Sequence, residues 1–327
     1  MDNLGGQRPS KAKVPLVVLA LVVVAVIAVF SFFQIVRSAT DSKLNLANSY
    51  LDEGVANGTR DGASLQAREL LLAVERTGYK SAYLYELLGY SAEIINDYDR
   101  ALEYYDKAEK EINILTGNSV KAKIYAAQGR MSTDPKKSEE YFLKALKLAK
   151  LGSFRSELYA NLSNARYLQN DLTKAVEYAD LAIKSDSSNE QGYISYAKAE
   201  ISDKSSLQEN AKKVEEYLVR AIFLAPRSAE PQYWMGKFDV AFGKYDLAIA
   251  SYDTAAKFLI NDSTAGVQAK ASLMSDIFFD ESVAYFLKKD QKYKEFFREA
   301  FRLDPAKTLF RVRDNPALKD MMTDFVS

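Results

Sequence analysis

The 327-residue sequence contains no cysteine and no histidine. Without these residues there is no thiolate nucleophile, no Cys/His zinc site and no imidazole general base. A hydrolase built on carboxylates alone remains an alternative. A chain without cysteine also tolerates an oxidising compartment. The sequence therefore predicts a non-catalytic protein that needs neither a metal nor a cofactor.

An excess of charge of either sign is also missing. Lysine and arginine number 44, and aspartate and glutamate number 44. A neutral balance gives no long-range attraction to nucleic acid, so we expect no nucleic-acid partner. Hydrophobic residues make up 48% of the chain and charged residues 27%, which is typical of a globular protein.

One long apolar run lies near the amino terminus. Residues 16 to 33 read LVVLALVVVAVIAVFSFF, and Ser31 is the only polar residue among them. At ~1.5 Å of rise per residue such a helix spans roughly 27 Å, close to the thickness of the hydrocarbon core of a bilayer. We predict a transmembrane helix over residues 14–36 after a short cytoplasmic tail, residues 1–13. A cleaved signal peptide is the alternative, although its apolar region is usually only ~7–15 residues long and Arg37 does not suit a cleavage site after Ala39.

Flanking charges predict the orientation of this helix. Three basic residues precede the run, and Arg37 and Lys43 follow it. Because basic residues tend to stay in the cytoplasm, we expect a single-pass protein of the inner membrane with its carboxyl-terminal part in the periplasm. The difference is small and leaves the opposite orientation open. The three preceding basic residues are Arg8, Lys11 and Lys13.

A spacing of twelve, four and three residues recurs along the rest of the chain. It relates Gly89 to Ala101, Tyr105 and Ala108. Two antiparallel helices can approach closely where such small residues meet, and the aromatic side chain fills the adjoining groove. One helix pair cannot bury its apolar face alone, so the pairs are expected to stack. The other copies are Gly236/Ala248/Tyr252/Ala255, Ser163/Ala175/Ala179/Ala182, Ala126/Ser138/Phe142/Ala145, the weaker Gly54/Gln66/Leu70/Ala73, and two half-copies that end at Ala221 and Ala300.

The repeat resembles the tetratricopeptide family. Residues 156–189, SELYANLSNARYLQNDLTKAVEYADLAIKSDSSN, are similar to its consensus almost throughout, and FGKYDLAIASYDTAAKF is a clear second-helix signature. The resemblance implies an all-α protein in which the transmembrane helix is followed by a right-handed solenoid of about seven helix pairs over residues 40–305. Extra residues near ISDKSSLQEN indicate a longer loop between two helices, and another insertion falls within residues 256–275.

The last residues, 306–327, predict a helix that caps the solenoid, as stacked repeats require. We expect Leu309, Leu318, Met321 and Met322 to cover the core, and Arg311, Arg313, Lys319 and Asp320 to face water.

Acidic side chains are the remaining candidates for chemistry. In DYDRALEYYDKAEKEI, residues 97–112, Glu103 with Lys107 and Asp106 with Lys110 predict ion pairs on a solvated helix face. Asp276 and Asp280 share one helix face, but a hydrolase needs two acids held together in a cleft. We interpret both sets as structural.

The resemblance also implies a concave surface, lined by the first helix of each pair, where this family usually binds extended peptides. The lysine and asparagine grip by which one subtype holds a peptide carboxylate is incomplete, because Lys123 is followed by Ala127 where that grip has asparagine. We predict a membrane-anchored scaffold or adaptor for a protein or peptide partner, with the bilayer as a second partner through the amino-terminal helix. The alternatives are a component of a larger envelope machine, such as a flagellar motor collar or a secretion-linked chaperone, and a carboxylate-based envelope enzyme with accessory repeats. The predicted binding residues are Tyr90, Ile94, Arg130, Asn164, Tyr167, Lys198, Tyr233 and Lys237.

Overall fold

A computed structural model describes residues 16–57, 60–262 and 266–313, together with residues 315, 318 and 321. The regular elements in these ranges are α-helices, and none is a strand, which confirms the predicted all-α class. The helices are α1 (Leu16–Asn57), α2 (Arg60–Glu75), α3 (Ala82–Ile94), α4 (Tyr98–Lys110), α5 (Asn118–Met131), α6 (Pro135–Leu148), α7 (Gly152–Leu168), α8 (Leu172–Ser185), α9 (Glu190–Ser202), α10 (Leu207–Leu224), α11 (Ala229–Ala241), α12 (Tyr245–Asn261), α13 (Val267–Leu287), α14 (Tyr293–Leu303) and α15 (Pro305–Arg313).

Consecutive helices pack in pairs, from α1 with α2 to α13 with α14. Each pair also packs on the next, and helices in substantial contact are never more than two apart along the chain. A chain whose helices touch only their near neighbours is a solenoid, in which stability comes from contacts within and between adjacent pairs. The predicted stacked architecture is therefore confirmed.

Small residues make the close approaches that the spacing predicts. Ala101 and Ala108 on α4 are fully buried on either side of Tyr105. A Cβ atom added to Gly89 would lie 2.7 Å from the Tyr105 ring, and one added to Gly236 would lie 2.5 Å from the Tyr252 ring. A side chain at either position would have to displace the ring, so both glycines favour this close packing.

Two copies of the repeat differ in register from the sequence assignment. In α2 the buried residues are Ala67, Leu71 and Val74, one position after the predicted Gln66, Leu70 and Ala73. One residue turns a helix by about 100°, which places Gln66 in solvent. In the third pair, the closest approach to the Phe142 ring is made by Gly129, three residues, almost one turn, after Ala126 on α5.

Turns inside the pairs explain where second helices begin. Asn96 and Asn170 have φ angles of 60° and 61°, in the left-handed region that asparagine tolerates. The following residues, Asp97 and Asp171, accept hydrogen bonds from the backbone N–H groups of Arg100 and Lys174 and so cap α4 and α8. Asp134 likewise accepts a hydrogen bond from the backbone N–H of Lys136 and caps α6, which has proline at its first position.

Helix α1 is continuous over 42 residues. Its first part exposes apolar side chains, among them Leu21, Phe30 and Ile35. Its last part buries Leu44 and Leu51 in the first hydrophobic core, where α1 packs on α2. The apolar segment and the first repeat helix are therefore one rigid element.

The extra residues in the second half of the chain lengthen helices more than loops. Only four residues separate α9 from α10, and α10 is 18 residues long. Helices α12 and α13 have 17 and 21 residues. The predicted long loop near ISDKSSLQEN is thus largely the first turn of α10.

The carboxyl-terminal cap agrees only in part with the sequence prediction. Leu318 and Met321 are buried in a cluster with Phe279 and Phe297. Leu309, however, is 41% exposed. Arg311 points inward instead of to water, because two aspartates of α13 bind it. Lys319, Asp320 and Met322 lie outside the described residues.

Candidate binding groove

The first helices of successive pairs line a continuous groove, called here the inner groove. It consists of cavities of about 600 and 350 Å³ that share Arg130 and Glu157. Most lining residues recur at intervals of three, four or seven, which places them on one face of each helix. They include Glu86, Tyr90 and Glu93 on α3, Lys123 and Arg130 on α5, Glu157, Asn161 and Asn164 on α7, and Gln191, Ser195 and Lys198 on α9.

Arg130 lies where the two cavities meet. Its Nε and Nη2 atoms donate to the two carboxylate oxygens of Glu93 at 2.9 and 3.0 Å, and Nη1 donates to Glu157 at 3.5 Å. The Tyr105 hydroxyl donates to Glu93 at 2.7 Å. Burial lowers the pKa of Arg130, but the charge and hydrogen bonds of Glu93, with Tyr105 and Glu157, together outweigh it and the pKa is raised. Arg130 is therefore fixed as a structural cation.

Lys198 lies further along the groove. Its ammonium group donates to Asn164 Oδ1 at 2.7 Å and lies 4.3 Å from the centre of the Tyr167 ring, within cation–π range. Burial lowers the pKa of Lys198, and the carboxylate of Glu230 opposes this only in part. Asn164, Tyr167 and Lys198 thus form one cluster across α7 and α9.

The predicted residues Tyr233 and Lys237 belong to a different network. Tyr233 is only 7% exposed, and its hydroxyl donates to Asp280 at 2.7 Å. Lys237 donates to the same carboxylate at 3.2 Å, and Arg311 of α15 completes the set around Asp280. These two residues therefore help to hold the capping helix, which explains why they do not line the inner groove.

The structure brings four of the eight predicted residues into the inner groove: Tyr90, Arg130, Asn164 and Lys198. Tyr167 lies beside the groove under Lys198, and Ile94 is half-buried against the first hydrophobic core. The eight residues thus divide between the groove, its support and the capping network.

Carboxylates are the groove residues that sequence reasoning missed. Among the described lining residues there are six acids and only three cations, Lys123, Arg130 and Lys198. The signal was present in α3, where Glu86 and Glu93 are seven residues apart on the face of Tyr90. The acids are Asp52, Glu86, Glu93, Glu157, Asp186 and Glu230.

The acidic pair considered for hydrolysis is part of the capping network. Asp276 accepts from Lys307 at 2.7 Å and from Arg311 at 3.2 Å. Burial would raise the pKa of Asp280, but Arg311, Lys237 and the Tyr233 hydroxyl outweigh it, so the pKa is lowered. A carboxylate held ionised by two cations is not a proton donor at neutral pH. No group of three or more acidic side chains in the described part of the chain is arranged to hold a metal ion.

On α4, the predicted ion pair of Glu103 with Lys107 is present at 2.9 Å. Asp106 instead accepts a hydrogen bond from Gln128 on α5 at 2.9 Å. This acidic stretch therefore serves both the solvated surface and the contact with the next pair.

Among the described residues, one helix is long and apolar enough to cross a membrane by its length and composition. It is α1, whose candidate segment, Leu21–Gly54, contains an 18-residue window with a mean hydropathy of 2.2.

Comparison with known proteins identifies the fold but no close relative. No family model matches the sequence, and no curated protein matches it. Solved structures do match. A structure of the Cut9–Hcn1 hetero-tetramer of the APC/C has a TM-score of 0.55 at 13% identity, covering 71% of this chain and 42% of the other.

Two bacterial structures extend the comparison. Pseudomonas aeruginosa pilF has a TM-score of 0.50 at 16% identity, covering 69% of this chain and 94% of its own. The C-terminal part of a TPR repeat-containing protein from Cytophaga hutchinsonii has a TM-score of 0.40 at 16% identity, with coverages of 80% and 97%. Together with the stacked pairs and their recurring small residues, the similarities to Cut9–Hcn1 and pilF establish that the chain folds as a tetratricopeptide-repeat solenoid.

Proposed function

We propose that this protein is a membrane-anchored, non-catalytic scaffold whose inner groove binds an extended segment of a protein partner. The observation that carries the proposal is the groove itself, which runs across the first helices of the pairs from Asp52 on α1 to Glu230 on α11. Polar and charged groups arranged along such a length suit a polypeptide, which offers backbone and side-chain partners at regular intervals.

Helix α1 provides the anchor. It exposes apolar side chains along its first part and enters the first repeat without a break. Between Val36 and the first buried repeat residue, Leu44, lie seven residues, which in a helix rise about 10 Å. A span ending near Val36 would hold the solenoid close to the lipid surface, with no flexible linker between them.

The charges that flank the apolar run favour a solenoid outside the cytoplasm, at the outer face of the inner membrane. A scaffold held there would recruit a partner into an envelope assembly. Because the chain has no natural cysteine, Ile114→Cys gives a single thiol at a position that is 96% exposed. We expect a membrane-impermeant maleimide to label it in spheroplasts. Labelling only after lysis would place the solenoid in the cytoplasm.

Site-specific crosslinking tests the groove. A photoreactive amino acid at Asn161 or Ser195 lies in the groove, whereas one at Leu247 lies on an exposed part of α12. We expect both groove positions to crosslink the same protein in living cells and Leu247 to give no such product. Crosslinking from Leu247 alone would overturn the assignment of the groove.

A further inference from the structure

Glu86 is a buried carboxylate without a complete set of partners. Its side chain lines the 350 Å³ cavity of the inner groove, yet the residue is only 4% exposed. Its Oε2 atom has no hydrogen-bond partner. Burying a charged group unpaired costs far more than burying an apolar one, so such a group in a cavity points to a missing ligand.

The charged groups around Glu86 leave the cavity acidic. Arg130 of α5 is already used by Glu93 and Glu157. Lys123, also on α5, lines the cavity but lies beyond ion-pair distance of any described carboxylate. Asp52 of α1 adds a further negative charge. The polar groups facing Glu86 are completed by Tyr83 of its own helix and Tyr105 of α4.

We propose that the Glu86 cavity receives a lysine or arginine side chain of the bound segment, so that the inner groove selects basic polypeptides. The inference rests on the proposed function and specifies the partner that the groove takes. An ammonium or guanidinium group would give Oε2 the donor it lacks, and a charge-assisted hydrogen bond is stronger than a neutral one. The excess of acids along the whole groove favours the same sign of ligand.

Binding in this cavity is coupled to a proton. Burial raises the pKa of Glu86 to about 7, although Lys123 and Arg130 oppose the shift. A cationic ligand binds the ionised form, so below this pKa a proton must leave when the ligand enters. The ionised fraction of Glu86 rises about tenfold between pH 6 and pH 8, and the affinity should rise by about the same factor.

The test uses the full chain in detergent micelles and labelled peptides with blocked termini. One peptide repeats Gly-Ser-Lys, and its matched control repeats Gly-Ser-Gln. We expect the lysine peptide to bind more tightly, with an affinity that rises about tenfold from pH 6 to pH 8. Glu86→Gln should weaken binding about tenfold at pH 8 and remove this pH dependence.

A matched variant, Glu216→Gln, removes an equally charged side chain that is 64% exposed on α10, outside the groove. It should bind like the wild type. Lys123→Gln, which removes a competing cation, should bind the lysine peptide more tightly. Thermal melting checks that each variant is folded.

Equal binding by the Glu86→Gln and Glu216→Gln variants would overturn the assignment of the cavity. So would preference for the glutamine peptide. Either result leaves the scaffold proposal intact if Asn161 and Ser195 still crosslink a partner in living cells. If neither position crosslinks a partner, both the scaffold proposal and the assignment of the Glu86 cavity are refuted.

Discussion

At the scale of single residues, Glu86 carries a stability cost that depends on pH. Its folded-state pKa of about 7 lies above the value of 4.5 expected in the unfolded chain. Below pH 4.5 both states are protonated and there is no cost. Between these values the unfolded state loses its proton first, so the folded state is progressively destabilised. Above pH 7 the cost is complete, at about 3 kcal/mol.

Glu86→Gln should therefore leave stability almost unchanged at pH 4 and raise it by up to about 3 kcal/mol at pH 8. Urea denaturation followed by circular dichroism at both pH values measures the difference. The Glu216→Gln variant, whose side chain is mostly in solvent, should show no such trend. A stabilisation by Glu86→Gln that is equal at both pH values would contradict the raised pKa.

Gly236 is a second residue whose role is testable alone. Because an added Cβ would lie 2.5 Å from Tyr252, Gly236→Ala must displace a fully buried ring. We expect a loss of about 1–3 kcal/mol in the free energy of unfolding. Gly62→Ala is the matched control, since nothing lies within 4 Å of its added Cβ and alanine favours a helix. Equal stabilisation of both variants in urea would refute the close-packing argument.

At the scale of elements, charged contacts of Arg311 and Lys307 hold the capping helix α15 on α13. Arg311 pairs with Asp276 and Asp280 and lies 4.0 Å from the centre of the Phe279 ring. Arg311→Ala leaves Asp280, which is almost fully buried, with Lys237 as its remaining cation. Removing one partner of a buried ion pair typically costs about 3–5 kcal/mol. We expect hydrogen exchange in α15 to accelerate strongly.

The control for this change is Arg302→Ala on α14. Arg302 is largely exposed and pairs only with Glu299, three residues earlier. An exposed pair of this kind contributes about 1 kcal/mol or less. If hydrogen exchange in α15 is as slow in the Arg311→Ala variant as in the Arg302→Ala variant, the proposed role of Arg311 in holding α15 is wrong.

The elements were largely predictable from sequence because the repeat encodes them locally. Small residues and aromatics at fixed spacing identified α3 with α4 and α11 with α12. The sequence prediction for α2 was one residue out of register, because α2 buries Ala67 through a contact that only the folded pair reveals.

The groove was less predictable than the helices that form it. Tyr90, Arg130, Asn164 and Lys198 were found because each lies on the inner face of a first helix. Tyr233 and Arg311 were misplaced because their partner, Asp280, is more than thirty residues away from each along the chain. Contacts between residues far apart in the sequence leave no local sequence pattern. The lack of a partner for Glu86 likewise cannot be read from the neighbouring sequence.

At the scale of the whole molecule, each part of the solenoid is expected to be stabilised by contacts within and next to its own helix pairs. The buried residues form separate clusters, and one of them, around Phe297, joins α13 and α14 to Leu318 and Met321. Helices in substantial contact are at most two apart, so the helices of this cluster do not pack extensively on α1–α4. The two regions meet through loop residues, where a Cβ added to Gly266 would lie 3.0 Å from Asn96 Oδ1. In such a chain, the destabilisation caused by a substitution at one end should decrease with each helix pair along the stack.

Phe297→Ala tests this expectation. Its ring is fully buried, so truncation should cost about 3–5 kcal/mol locally. Hydrogen exchange followed by mass spectrometry should show faster exchange in α13–α15, a smaller change in α11 and α12, and none in α1–α4. The mirror variant, Leu71→Ala in the first cluster, should loosen α1–α4 and spare α13–α15. If either variant accelerates exchange uniformly from α1 to α15, the solenoid unfolds as a single cooperative unit. A partner bound in the inner groove would then stabilise the capping helix as strongly as the helices it touches.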